Sequence, residues 1–295
     1  IGTNAFSRRV DQDGVAEIMA AARDVGVTMV DTADVYGATH GASEEMVGLA
    51  LQGQRDEFVV ATKFGGGQVA HERGPGGSRH YVLDAVEGSL RRLRTDHIDL
   101  YQLHVPDGIT PIEETLSALD SLVKAGKVRY VGCSNFAGWQ VADADWTART
   151  SGYERFVSAQ NGYSLLDRSV EEEVIPACEA FGLGMLPYFP LEYGLLTGKY
   201  RRDEEAPDGS RAALDPARSQ WLAGADWDRI EALAAYAERR DLSLLDVAIA
   251  GLAAQPTVAS VISGVTRGDQ VRANAAALRW RPSAEDLVEL DELTS

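Results

Sequence analysis

Val27-Thr28-Met29-Val30-Asp31-Thr32-Ala33-Asp34-Val35-Tyr36-Gly37 is the stretch on which the fold turns. Val27, Met29 and Val30 suit a strand buried on both faces, as in a parallel sheet. Asp31 then stands at the strand's C-terminal end. Tyr36 follows five residues later, in a loop closed by Gly37. An acid and a phenol held close together on a rigid scaffold form a candidate proton-transfer site. The plainer alternative is an Asp that caps its own loop and a Tyr on the surface.

The flanking sequence repeats the strand-then-helix rhythm. Helical spacing runs from Asp11 to Val25, before this strand, with Val15, Ile18, Met19 and Ala22 on one face. After it, Ser43 is expected to cap a helix over Glu44–Leu51 with an acidic first turn. Strands follow at 58–63, 98–104, 128–134, 156–161 and 184–189, with a last one at 258–263. Helices are expected at 79–93, 111–125, 138–149, 170–181, 226–240, 243–254, 268–278 and 284–293. Ser78 opens the helix at 79, and Gly126 and Gly182 close two others. Residues 190–225 read as irregular. With 27–31 these make seven strands, and Ile1-Gly2-Thr3 reads as the stub of an eighth. Such alternation argues for a parallel sheet covered by helices. At 295 residues, an α/β fold of the closed eight-stranded βα-barrel type, of about 250 core residues plus extra C-terminal helices, fits best. An open doubly wound sheet is the alternative. No composition shift marks a boundary, so residues 1–295 read as a single domain.

The strands end in Asp31, Lys63, His104, Ser134–Asn135, Gln160–Asn161, Tyr188 and Ser263–Gly264. In a parallel barrel those ends gather on one face, where active sites form. Only four Lys occur among the 28 Lys and Arg, and Lys63 alone closes a strand. An ion pair with Asp31 is expected. A buried pair is weak evidence for stability, which leaves room for a chemical use. Lys63 beside Tyr36 is expected to lower the phenol pKa from about 10 by about 1–3 units. His104 is the one His that closes a strand; His40, His71, His80 and His97 sit in loops or at helix ends without metal-ligand spacing. No metal is expected. The Gly-rich stretch 65–77 lacks a Gly-Lys-Ser/Thr ending, and no Gly-x-Gly-x-x-Gly opens a helix after a strand. The candidate phosphate site is instead Ser263-Gly264-Val265-Thr266-Arg267-Gly268-Asp269-Gln270, entering a helix that carries Asn274. An ordinary capped helix is the other reading of it.

A net charge of −17 disfavours nucleic acid and anionic membranes as partners. Cys133 and Cys178 cannot make a disulfide framework, so a cytoplasmic location is expected. No apolar run nears the roughly 18 residues of a membrane span, and no signal peptide is visible. The chain opens at Ile1 rather than Met, so sequence upstream is expected.

Taken together, these residues resemble the aldo-keto reductase family. The resemblance rests on Asp31-Thr32-Ala33-Asp34-Val35-Tyr36-Gly37, Ala61-Thr62-Lys63, Ile98–His104, Lys127–Phe136, Gln160-Asn161 and Leu195–Tyr200, in order, and covers Gly2 to about residue 280. It implies a TIM-type barrel that binds NADPH without a Rossmann domain. It implies a catalytic tetrad of Asp31, Tyr36, Lys63 and His104. Tyr36 would be the proton donor, Lys63 and Asp31 would tune it, and His104 would orient the carbonyl. Ser134, Asn135 and Gln160 would hold the nicotinamide carboxamide, with Tyr188 stacked on the ring. Ser263, Gly264, Arg267, Gln270 and Asn274 would take the adenosine phosphate end. Gly2 and Thr3 match the end of the family's first strand. The chain reads Tyr188-Phe189-Pro190-Leu191-Glu192 where the family often shows Tyr-Ser-Pro-Leu-Gly or -Ala, which puts Phe189, Pro190 and Leu191 along the cofactor path. The family's N-terminal hairpin does not occur in the sequence.

The function implied is NADPH-dependent reduction of a small aldehyde or ketone. Two other classes compete. One is a cofactor-binding regulatory protein like the family's potassium-channel β subunits, separated from the first by a turnover assay. The other is a Schiff-base aldolase using Lys63, which the Asp31 partner disfavours by keeping the amine charged. Substrate identity depends on the loops at 64–78, 105–110 and 190–225.

Overall fold

The computed structural model describes residues 1–67, 74–214 and 222–294. Within these, six strands form one parallel sheet in sequence order: β1 (Met29–Asp31), β2 (Val59–Phe64), β3 (Ile98–Leu103), β4 (Val128–Ser134), β5 (Ser158–Gln160) and β6 (Gly184–Met185). The helices are α1 (Gln12–Asp24), α2 (Ala42–Ala50), α3 (Arg79–Leu93), α4 (Ile112–Lys124), α5 (Gly138–Ser151), α6 (Val170–Phe181), α7 (Arg211–Leu214), α8 (Trp227–Glu238), α9 (Leu244–Ala253), α10 (Gly268–Ala277) and α11 (Ala284–Thr294). Strand then helix recurs from α1 to β6, as the apolar periodicity requires. Between α1 and α2, Val30 is 0% exposed, whereas Val27 and Met29 are only half buried, so β1 is covered less fully than expected.

The chain divides into two compact units. The first comprises residues 1–161, 170–186 and 264–272, and holds the sheet. Its helices start where short polar side chains satisfy free amides. Asp11 accepts from the Gly14 N–H at 3.0 Å to open α1, and Ser78 accepts from Tyr81 N–H at 3.4 Å to open α3. The apolar face of α1, Val15, Ile18, Met19 and Ala22, is buried. Ser43 does not cap α2. That helix begins two residues earlier than expected, at Ala42 after Gly41, and the Ser43 hydroxyl turns inward to Thr3 Oγ1 at 2.8 Å and Thr32 Oγ1 at 3.1 Å. A buried hydroxyl gains more from two buried partners than from a cap open to water.

Ile1–Thr3 runs beside β1: Asp31 N–H donates to Ile1 O at 2.8 Å and Thr3 N–H to Asp31 O at 3.0 Å. Gly2 bridges Asp31 on one side and Gly264 on the other. The expected strand at 258–263 is not a strand. Ile262 and Gly264 make isolated bridges, to Tyr188 and Gly2 respectively. Likewise β6 stops at Met185 instead of reaching Phe189, because Pro187 has no N–H to continue a ladder.

The second unit comprises residues 162–169, 187–263 and 273–295. The region read as irregular contains a 3-10 turn at Glu192–Thr197 and the short α7. Helix α8 packs on α9 and α11, and Arg240 reaches Asp286 at 3.0 Å and Glu289 at 2.6 Å. No described helix is long and apolar enough to cross a membrane.

Candidate active site

Register brings the first unit's polar strand residues together. Lys63 on β2 lies opposite Gln102 on β3, Gln102 opposite Gly132 on β4, and Ser134 opposite Gln160 on β5. Gly132 is needed for space. A Cβ there would come within 2.5 Å of Ser158 Oγ and 3.2 Å of Gln102 Cγ. The glycine leaves room for the glutamines beside Lys63.

Lys63 is 1% exposed. Its Nζ donates to Asp31 Oδ2 at 2.6 Å, to Thr32 O at 3.0 Å and to Tyr36 Oη at 3.5 Å. Asp31 is held from its other oxygen: Gln160 Nε2 donates to Oδ1 at 2.8 Å and Gln102 Nε2 at 3.5 Å. Tyr36 comes from the β1–α2 loop. Its carbonyl accepts from Ser43 N–H at 3.1 Å, and the next residue, Gly37, has φ +110°. A side chain at Gly37 would press within 2.9 Å of the Ser43 backbone, so the turn after Tyr36 requires glycine. His104 extends β3 by one residue, its N–H donating to Phe64 O at 2.8 Å. The Tyr36 and His104 rings meet edge to face at 5.7 Å. Asp31, Tyr36, Lys63 and His104 are thus in one cluster.

The electrostatics differ from expectation at one point. Burial raises the Tyr36 phenol above its ordinary 10.0, and the Lys63 ammonium offsets that only in part. The expected lowering does not occur, because desolvation of a phenolate outweighs one cation already shared with Asp31. For Lys63, burial alone would lower the pKa, but Asp31 and Tyr36 outweigh it and hold the ammonium above its usual value. Burial and the Lys63 charge push His104 down to about 3, so its imidazole is neutral. His104 Nδ1 is buried with no partner among the described residues.

Around the cluster, Ser134 Oγ donates to Gln160 O at 2.8 Å. Asn135 sits at φ +60°, exposed, its Nδ2 donating to His104 O at 2.9 Å. Asn161 donates to Phe136 O at 3.0 Å, and its buried Oδ1 has no partner among the described residues. Gly2 and Thr3 lie against β1, away from any open loop of their own: Thr3 Oγ1 donates to Asp31 O at 3.0 Å. At the start of α10, Gln270 Oε1 accepts from Thr266 N–H at 2.8 Å, and Gly264 bridges Gly2. Arg267 is exposed and paired with Asp269 at 3.0 and 3.1 Å.

The second unit holds Tyr188, Phe189, Pro190, Leu191, Ser263 and Asn274. Tyr188 meets Phe189 edge to face at 4.9 Å, and Phe189 lies 4.4 Å from the Tyr193 ring. Phe189, Glu192 and Tyr193 all take left-handed φ, at 55°, 42° and 53°. Pro190 is buried, and Leu191 O accepts from Gly194 N–H at 2.8 Å. Ser263 is 8% exposed, and Asn274 lies one turn beyond Gln270 on α10.

The sequence reading missed the role of Gln102 and gave Gln160 only a cofactor contact. A signal existed. Gln102 is two residues before His104, hence on the same strand face, and within buried β3 it shares that face with the apolar Ile98 and Leu100, while Asp99 points to the other. Among the described residues no three His, Cys, Asp or Glu cluster as metal ligands. His71 lies outside the described residues.

The sequence model of the aldo/keto reductase family matches residues 1–295. A probable voltage-gated potassium channel subunit beta of Oryza sativa subsp. japonica is 34% identical over 281 residues, 92% of this chain and 84% of that protein. An uncharacterized oxidoreductase of Bacillus subtilis (strain 168) is 34% identical, covering 99% of this chain and 90% of its own length. Versiconal hemiacetal acetate reductase of Aspergillus parasiticus is 32% identical, covering 90% and 82%.

Proposed function

The chain belongs to the aldo/keto reductase family, and from that premise we propose that it is an NADP(H)-dependent reductase of small aldehydes or ketones with Tyr36 as proton donor. One observation carries the proposal: Lys63 Nζ reaches both the Asp31 carboxylate and the Tyr36 hydroxyl, beside a neutral His104. A buried ammonium next to a phenol favours the phenolate that remains after proton donation.

The residues present fit a nicotinamide cofactor. Asn161 Oδ1, next to Gln160, is a buried acceptor with no partner among the described residues, suited to a carboxamide N–H. Arg267 stands at the start of α10, and its pair with Asp269 is exposed and cheap to exchange for a phosphate. Ser134, Asn135 and Gln160 would hold the carboxamide end, with Gly264, Arg267 and Gln270 at the phosphate end. The roles of Tyr188, Phe189, Pro190, Leu191, Ser263, Asn274, Gly2 and Thr3 rest on the family resemblance alone. Bound there, the cofactor supplies hydride to the carbonyl carbon. Tyr36 gives its proton to the carbonyl oxygen, so the C=O bond becomes C–H and O–H. Lys63 stabilises the phenolate left behind. Neutral His104 offers an N–H to orient the oxygen. Asp31, clamped by Gln160 and Gln102, keeps Lys63 charged.

The reading includes a single closed (β/α)8 barrel domain in the cytoplasm. Gly2's bridges to Asp31 and Gly264 support closure, since they join the chain's first residues to its last strand-like segment. The likeness to the Oryza potassium channel subunit beta favours a second reading, a cofactor-binding regulatory protein with little turnover. A panel of carbonyl compounds followed by NADPH absorbance separates the two. Tyr36→Phe should lose about 10²–10⁴ in turnover while keeping NADPH binding. Turnover like that of the unmodified protein would remove Tyr36 from the mechanism.

A further inference from the structure

A polar cavity lies between the loop that carries Tyr36 and helix α3, and the proposed reaction does not use it. It has a volume of about 160 Å³, over ten times the roughly 10–15 Å³ that one water needs. The loop gives it Asp34 and His40. Helix α3 gives it Tyr81, Asp84, Ala85, Gly88, Arg91 and Arg92, residues spaced three and four apart along one face.

Asp34 is the anomaly. It is 1% exposed, yet its Oδ1 has no partner among the described residues. Its Oδ2 accepts a long 3.4 Å bond from Tyr81, and the Val35 backbone N–H also pulls on the carboxyl. A buried carboxylate oxygen without a donor costs free energy that a ligand N–H can recover. Two glycines leave space for Arg92, which lines the cavity. A Cβ at Gly41 would come within 2.2 Å of the Arg92 side chain and one at Gly88 within 2.9 Å. That room lets Arg92 reach the buried Glu44 at 2.7 Å, which neutralises it. Arg91, exposed at the rim, adds a cation to the same cavity.

We propose that this cavity is a binding site for a small zwitterion of the α-amino-acid class, its ammonium donating to Asp34 Oδ1 and its carboxylate meeting Arg91. The proposal is independent of the reductase reading. The binding should depend on pH. Burial and the Glu44 carboxylate push Asp34 up to about 7, against the pull of Arg92, the Tyr81 hydroxyl and the Val35 backbone N–H. Tyr101 stands near it with its own buried hydroxyl, protonated because burial raises its pKa far. His40 and Asp84 flank the mouth.

Calorimetric titration of the full chain with glycine, methylammonium and acetate tests it. Glycine should bind at one site, each half-ligand at least about tenfold more weakly. Glycine affinity should fall about tenfold from pH 8 to pH 6 as Asp34 protonates. Asp34→Asn should weaken glycine at least about tenfold. Ala85→Leu, which fills the space without touching Asp34, should abolish binding, and it decides the matter if Asp34→Asn does not fold. No saturable glycine binding, glycine binding unchanged in Ala85→Leu, or methylammonium or acetate binding as tightly as glycine would each overturn the proposal.

Discussion

Replacing Lys63 by Met removes the cation that contacts the Asp31 carboxylate among the described residues, while keeping a side chain of similar length. The side chains of the pair are 1% and 3% exposed. What remains around Asp31 is one amide at 2.8 Å and one at 3.5 Å. Breaking one partner of a buried pair costs about 3–5 kcal/mol, because the other charge stays buried and uncompensated. Asp31→Asn, the reverse cut, strands the ammonium on the Thr32 carbonyl and should cost as much. Removing both leaves neutral groups, and such replacements are often close to neutral. The double variant should therefore be more stable than either single variant, with a coupling of at least about 3 kcal/mol. Urea unfolding of the four proteins at pH 7 measures it. A folded Lys63 pKa above the unfolded 10.5 means the contribution is complete below pH 10.5 and lost as pH rises through the folded value. The coupling should then be the same at pH 6 and pH 9. A double variant whose loss equals the sum of the singles within about 0.5 kcal/mol refutes the argument.

Three further outcomes follow from the same geometry. His104, held at about 3, should show no imidazole titration by NMR between pH 5 and 8; a midpoint near 6.5 would place it in water. Asp34→Asn should stabilise the protein at pH 8 by up to about 4 kcal/mol, since a folded value near 7 against 3.8 disfavours the charged form. That contribution is present in the unmodified protein below 3.8 and lost as pH rises through 7, so the two proteins should converge near pH 4. Denaturant curves with no such convergence would show that Asp34 is solvated. Arg267→Ala should weaken NADPH by about one to two decades and leave NADH nearly unchanged, read by fluorescence titration; equal losses for both would sink the assignment.

Asp31, Lys63 and His104 were legible because each polar residue ends an apolar run, and parallel strands put their ends on one side. Helices α3, α5 and α6 were legible within one or two residues from apolar spacing and end signals. What was hidden depends on distant partners. Ser43 has the chemistry of a cap, but Thr3 and Thr32 claim it. The direction of the Tyr36 shift needs the depth of burial, which a neighbouring Lys in the sequence does not reveal. Arg267 was legible as part of the phosphate candidate, but its pair with Asp269 two residues on was not. Residues 258–263 have the composition of a strand, but their pairing is limited to isolated bridges.

The bond from Gln160 to Asp31 joins residues 129 positions apart. Local order in any helix can form without it, but the clamp exists only when β1 and β5 each hold the right register. A slip of one residue turns a strand's side chains to the opposite face. Contacts of such long sequence separation come late and slowly in folding. Regain of turnover on refolding should therefore lag behind regain of helical signal, which makes catalysis a clock for completion of the sheet.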